Sequence, residues 1–355
     1  MRNAIVAALV FTTGVLVWFA AAPVATSARA ERPPIPSPTS TVSPRVPVPA
    51  RRVVIGAAGD IACAADAGSD DHPDSCQYDD TADLLIGLTG ILVLGDGQYE
   101  RGDYEAYRRY YGPTWGRFIR HTYPVPGNHE YAEDPSSIPD GYFRYFGARV
   151  KGPDGLGYYS FDLPKGCVPD DGVCWHFIAL SSELCFTGGG CGPVPSPGEV
   201  GSGSRMYAWL RRDLRSHPNA DYPCTLAYWH HPLFSVSDGS GATSGTRPLW
   251  QLLYDARADV VLNGHSHNYQ RWLPQDPFGS YDPIRGIREF VAGTGGASKY
   301  RLQVGSAASN LATAQNVSFG IIRFSLSKAS YSWRWVPAAG QPGDFSDVAT
   351  GVPCM

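Results

Sequence analysis

Lysine is scarce in this 355-residue chain, with four against 25 arginines, and the 29 basic residues are outnumbered by 33 acidic ones. The formal charge is −4, or −6 without residues 1–30, which argues against the basic surface that nucleic-acid binding needs. No C-x2-C pair, H-E-x-x-H or P-C-x-x-C pattern occurs, so the common zinc-module, zinc-protease and zinc-deaminase signatures are missing. No cysteine stands beside a histidine in a way that suggests a thiol nucleophile, and no internal repeat is found. What is abundant is Gly (40) and Pro (30), which disfavours a helical bundle or coiled coil. Hydrophobic residues at 43% and aromatics at 12% exclude a mostly disordered chain, and the length suits one large domain or two medium ones.

The N-terminus carries Arg2, an apolar run from Ala4 to Ala22 and an A-x-A exit at Ala28-Arg29-Ala30. Residues 1–30 therefore read as a secretory signal, with an uncleaved anchor as the alternative because the run approaches spanning length. Once the signal is removed, no stable membrane span is expected. Residues 31–50, rich in Pro, Ser and Thr, read as a linker, and residues 51–355, which no second linker divides, read as one domain. All eight cysteines follow the signal, and an even number in an exported chain points to disulfides. Pairing near neighbours gives Cys63–Cys76, Cys167–Cys174 and Cys185–Cys191, leaving Cys224–Cys354; spacing alone does not fix this connectivity.

Short apolar runs at 53–58, 91–94, 123–125, 158–163, 175–181, 225–229 and 260–262 read as strands. Asp79 or Asp80 is expected to cap a helix through Leu88, and helices are expected at 103–111 and 204–216. Alternation at 287–292, 319–326 and 331–336 suggests antiparallel strands, with Tyr331, Trp333 and Trp335 as packing residues.

Five of these strands stop where metal-type ligands begin: Gly59-Asp60; Gly95-Asp96-Gly97-Gln98-Tyr99; Gly127-Asn128-His129-Glu130; Trp229-His230-His231-Pro232; and Gly264-His265-Ser266-His267 with Tyr269 and Arg271 after it. Alone, a Gly-Asp pair is usually a turn, and a single histidine is usually a hydrogen-bonded core residue. Together the clusters hold five of the nine histidines. Strand carboxyl ends gather such residues at one pocket, and mixed carboxylate, amide and imidazole donors suit two close metal ions.

The ordered series GD, GDxxY, GNHE, HHP and GHxHxYxR resembles the calcineurin-like metallophosphoesterases, specifically their purple acid phosphatase branch. The first motif runs Asp60-Ile61-Ala62, without the Asp-x-His of most of the superfamily, while Tyr99 stands three residues after Asp96, as in the purple branch. The resemblance implies an α/β (α+β sandwich) fold, with two mixed β-sheets packed face to face and flanked by helices. It implies a first metal, Fe(III), held by Asp60, Tyr99 and His267. It also implies a second metal, Zn, Mn or Fe, held by Asn128, His230 and His265, with Asp96 bridging the two. His230 is preferred to His231 because the ligand lies two residues before the proline; His231 would then lie behind the ligands or at the surface. His129 would face the substrate phosphate or protonate the leaving group. The activity so implied is hydrolysis of phosphate monoesters, by direct attack of a metal-bridging hydroxide, in a secreted enzyme with a small phosphorylated substrate. No counterpart is expected here for the β-sandwich domain that precedes the catalytic domain in large plant-type members, and residues 235–245 lack their extra histidines. A phosphodiesterase acting on nucleotides or lipid head groups, and an inactive exported binding protein, are the alternatives.

Overall fold

A computed structural model describes residues 53–64, 76–132, 134, 136–187, 190–193, 201–238, 241–303, 305 and 308–355. The expected signal segment and linker lie outside these residues. The strands in chain order are β1 (Val53–Ala58), β2 (Gly90–Leu94), β3 (Thr122–Val125), β4 (Tyr159–Leu163), β5 (Trp175–Ala179), β6 (Thr225–Tyr228) and β7 (Val260–Asn263). After them come β8 (Tyr269–Trp272), β9 (Arg288–Ala292), β10 (Leu311–Gln315), β11 (Gly320–Leu326), β12 (Ser330–Pro337) and β13 (Val348–Pro353). Among the described residues they form a six-stranded sheet, β13-β12-β11-β1-β2-β3, and a seven-stranded sheet, β10-β8-β9-β7-β6-β5-β4. In the six-stranded sheet β1, β2 and β3 run parallel at one edge and the remaining pairs are antiparallel; in the seven-stranded sheet β5, β6, β7 and β9 run parallel between antiparallel flanks.

The parallel strands are apolar on both faces because both faces are covered. Ile55, Ala57, Leu92 and Leu94 of one sheet meet Phe177, Leu226, Tyr228, Val260, Leu262 and Phe290 of the other in a single core. The alternate residues Ile91 and Val93 pack under Tyr107, Tyr111, Trp115, Tyr142 and Phe146. Ile178, Ala227 and Val261 pack under Met206 and Leu210 of the helix Ser202–Ser216 and Leu249, Trp250 and Leu253 of the helix Arg247–Asp255. A period-2 pattern thus sends successive side chains to two different cores. Tyr331, Trp333 and Trp335 of β12 point into the core between the sheets, as their alternation indicates.

All four expected disulfides are present. Cys224 precedes β6 and Cys354 follows β13, so this bond joins the two sheets across 130 residues of sequence. Two local expectations are corrected. The first helix spans only Tyr78–Asp83, preceded by Gln77, so Asp79 and Asp80 lie inside its first turn instead of capping it. The chain turns off before Leu88, with Gly87 in the left-handed region. The 103–111 segment is helical but mixed: Tyr104–Ala106 is α-helical, and Tyr107–Tyr111 is wound as a π-helix.

Candidate metal centre

The seven side chains expected as ligands converge at the carboxyl ends of the parallel strands. Asp60 follows β1, Asp96 follows β2, Asn128 follows β3, His230 follows β6, and His265 and His267 follow β7. Asp60, Asp96 and His265 all have positive φ, of 60°, 48° and 67°. Such backbone is costly for non-glycine residues and is characteristic of functional sites. The glycines of the motifs are required by close approach: a Cβ on Gly127 would collide with Asp96 Oδ1, and one on Gly264 with Asp60 Oδ2.

The donor atoms fall into two sets that share one atom. In the first set the Tyr99 hydroxyl lies 3.0 Å from Asp60 Oδ1, 2.9 Å from His267 Nε2 and 3.2 Å from Asp96 Oδ2. His267 Nε2 is also 3.1 Å from Asp60 Oδ1. In the second set Asn128 Oδ1 lies 3.1 Å from both His230 Nε2 and His265 Nδ1, and His230 Nε2 is 3.1 Å from the same Asp96 Oδ2. With metal–ligand bonds of about 2.0–2.2 Å, ligand atoms around one ion sit about 3 Å apart, so both sets have the spacing of coordination shells.

The charges also fit cations. Asp60 and Asp96 are fully buried, and carboxylates removed from water need a partner charge. Tyr99 has one hydroxyl proton but three nearby acceptors. Burial, with Asp60 and Asp96 beside it, pushes its phenol well above the ordinary range. Burial alone would lower His230, yet Asp96 and Asp60 raise it to about 10. Without a metal, then, the site needs an extra proton to balance its carboxylates.

The surrounding residues fix the ring orientations. The His230 Nδ1–H donates to the Leu94 carbonyl (2.8 Å), which leaves Nε2 for a metal. His267 Nδ1 pairs with Ser298 Oγ (2.8 Å), and its ring stacks on Tyr300 at 3.9 Å. Glu130 accepts from the backbone N–H groups of Asp96, Gln98 and Gly127 and from the Tyr107 hydroxyl, tying the ends of β2 and β3 together. The π-helical turn places that tyrosine. Glu130, Ser298 and Tyr300 are not marked by residue type as parts of a metal centre. Glu130 at least stood inside the GNHE motif, whereas Ser298 and Tyr300 lie some thirty residues beyond His267 with no local pattern to mark them. Tyr269 and Arg271 both bond Asp347, so this part of the last motif is structural.

His129 stands at the edge of the cluster. Its backbone N–H donates to Asp96 Oδ1 (3.0 Å), Nδ1 contacts the Glu100 carbonyl (2.6 Å), and its ring packs on Tyr99 at 4.2 Å. His231 is buried, not at the surface. Its Nδ1 lies 3.0 Å from Ser182 Oγ and 3.2 Å from Glu183 Oε1, and its ring packs 4.2 Å from that of His265.

Two other ligand-type groups occur among the described residues. One contains Cys224 and Cys354, which are joined in a disulfide. The other contains Asp162, His176 and His217. There His176 already pairs Nδ1 with Asp162 (2.8 Å) and Nε2 with Asp213 (2.9 Å), while His217 stacks flat on it at 3.8 Å. Each ring nitrogen of His176 has a carboxylate, which is the arrangement of a charged structural clamp.

Residues 54–269 match the family model described as calcineurin-like phosphoesterase. The chain is 29% identical to purple acid phosphatase 23 of Arabidopsis thaliana over 169 residues, covering 44% of this chain and 32% of that protein. It is 25% identical to the probable purple acid phosphatase 20 of the same plant over 256 residues, covering 65% and 53%. The chain thus spans about a third to a half of the length of these relatives. In three dimensions it is similar to the purple acid phosphatase PPD1 from yellow lupin (Lupinus luteus) seeds, with a TM-score of 0.63 and 16% identity over 84% of this chain and 54% of that one. The shared fold is the pair of mixed sheets with flanking helices described above.

Proposed function

The chain belongs to the calcineurin-like phosphoesterase family, and from that premise we propose that it is an exported binuclear-metal hydrolase of phosphate monoesters. The observation that carries this reading is Asp96 Oδ2, which stands within 3.2 Å of a donor from each ligand set and so suits a bridge between two ions. Asp60, Tyr99 and His267 would hold one ion, by resemblance Fe(III), and Asn128, His230 and His265 the other, with Asp96 shared. When bound, such a pair neutralises phosphoryl oxygens and lowers the pKa of water used as the nucleophile.

The chain's own residues do the rest. Asn128 supplies a neutral donor, so the side open to substrate gains no negative charge. Phenolate from Tyr99 is a hard donor suited to a trivalent ion. His129 would hold a proton for the departing ester oxygen. Burial lowers its basicity, but Asp96, the Glu100 carbonyl and Glu130 outweigh this and raise it, which favours the proton-bearing form. The purple acid phosphatase relatives support the monoester reading, and the leader-like residues 1–30 with four disulfides support export to an oxidising compartment.

The test is a paired assay with a chromogenic monoester and a chromogenic diester, run beside metal analysis. The expected result is two metals per chain and faster turnover of the monoester. Faster diester turnover would make it a phosphodiesterase, and turnover of neither by the metal-loaded protein would make it a binding protein.

A further inference from the structure

Phe186 is an exposed aromatic ring beside the proposed metal centre. Exposed apolar side chains are ordinary on protein surfaces, and Ile138, Phe278 and Ile284 are others here. Phe186 differs in its neighbours. Its ring meets that of His231 edge-on at 4.8 Å, and His231 lies 4.2 Å from the ring of the ligand His265. Two ring contacts therefore link it to the second ligand set, within about 9 Å of His265. A phosphate held at the second ligand set would have the first ring beyond its ester oxygen within that reach.

The ring is also held in place. It ends the 3-10 turn Ser182–Phe186, whose Leu184 and Cys185 are buried in the core under the second sheet. Cys185 is joined to Cys191, and Ser182 Oγ accepts from the His231 backbone N–H at 3.1 Å. Gly245 also packs close to the ring: a Cβ there would come within 3.2 Å of Phe186 Cε1. Phe186 is 41% exposed.

From this placement we infer that Phe186 is a specificity-determining residue, whose ring is the stacking surface for a planar aromatic leaving group. Aryl phosphates are then bound in preference to alkyl phosphates. The inference rests on the phosphoesterase reading for the position of the phosphate.

The test uses the full metal-loaded chain as the parent, Phe186→Ala and Phe186→Trp, with phenylphosphonate and methylphosphonate as calorimetric probes. Phe186→Ala is expected to weaken phenylphosphonate roughly 3- to 10-fold, the range of one aromatic contact, and to leave methylphosphonate unchanged; Phe186→Trp retains the preference. In turnover, Phe186→Ala should raise KM for phenyl phosphate by the same factor with kcat nearly unchanged, and leave glycerol phosphate alone. A matching rise with adenosine monophosphate would extend the surface to nucleobases, and no rise would confine it to rings carried directly on the ester oxygen. Equal weakening of both phosphonates, or of neither, overturns the role of Phe186. Absence of turnover in the parent would remove the hydrolase reading, while the two phosphonates still decide whether this ring selects aromatic ligands.

Discussion

Two clusters in this fold are built from aspartate and histidine, yet they balance charge in different ways. At the strand ends Asp60, Asp96, Tyr99, Asn128, His230, His265 and His267 crowd acceptor atoms together with too few protons to pair them. On the helix-covered side of the second sheet, His176 places one nitrogen on each of two carboxylates, and Ser160 and Tyr222 take the remaining oxygens. The first arrangement leaves acceptors without protons and suits metal ions, whereas in the second one protonated imidazole gives each carboxylate a donor. Residue type alone does not separate a metal centre from a structural clamp; the number of protons against the number of acceptors does.

The contrast can be broken most severely at the shared carboxylate. Asp96→Ala should remove metal loading and lower turnover below about 1% of the parent, beyond the 10- to 100-fold cost of losing a residue that only supports a ligand. Metal analysis and a monoester assay check this, and full activity in a folded variant would refute the bridging role. His129→Ala should lower turnover by about 10²-fold while both metals stay bound. Loss of metal in that variant would make His129 a ligand or a structural residue. Tyr99→Phe should abolish the visible charge-transfer absorption expected of the iron-loaded protein; an unchanged spectrum would exclude the phenolate.

The clamp should respond in the opposite manner. His176→Gln should leave metal content and turnover per folded molecule unchanged and cost about 3 kcal/mol of stability, because it removes the cationic partner of the buried Asp213 and the partly buried Asp162. Burial opposes the charge on His176, but Asp162 and Asp213 raise its pKa above the usual value near 6.5. A group with a raised folded pKa stabilises fully below its unfolded pKa and loses that contribution as pH climbs through the folded value. The difference between parent and variant should therefore be largest at pH 5.5 and shrink by pH 9, as read by denaturant unfolding. A difference that grows with pH would contradict the charged clamp.

Most strands were legible in the sequence because a parallel strand buried on both faces reads as a continuous apolar run, as at 53–58 and 91–94. The β8 strand was hidden because Tyr269 and Arg271 sit inside a polar motif; their polar groups turn to Asp347, 76 to 78 residues away. The helix Arg247–Asp255 was hidden by a Gly- and Ser-rich approach and by Pro248 near its start, which is a favourable position for proline in a helix. At the centre, the residues beside strand ends could be read from local pattern. The contacts that orient them could not, because Glu130, Ser298 and Phe186 meet their partners only after the sheets have assembled.

The most direct measurement is anomalous X-ray scattering from crystals of the metal-loaded protein. The expected map has two peaks roughly 3.5–4 Å apart, on either side of the Asp96 carboxylate, and none at His176. A single peak, or a peak between His176 and Asp213 with none at Asp96, would contradict the account.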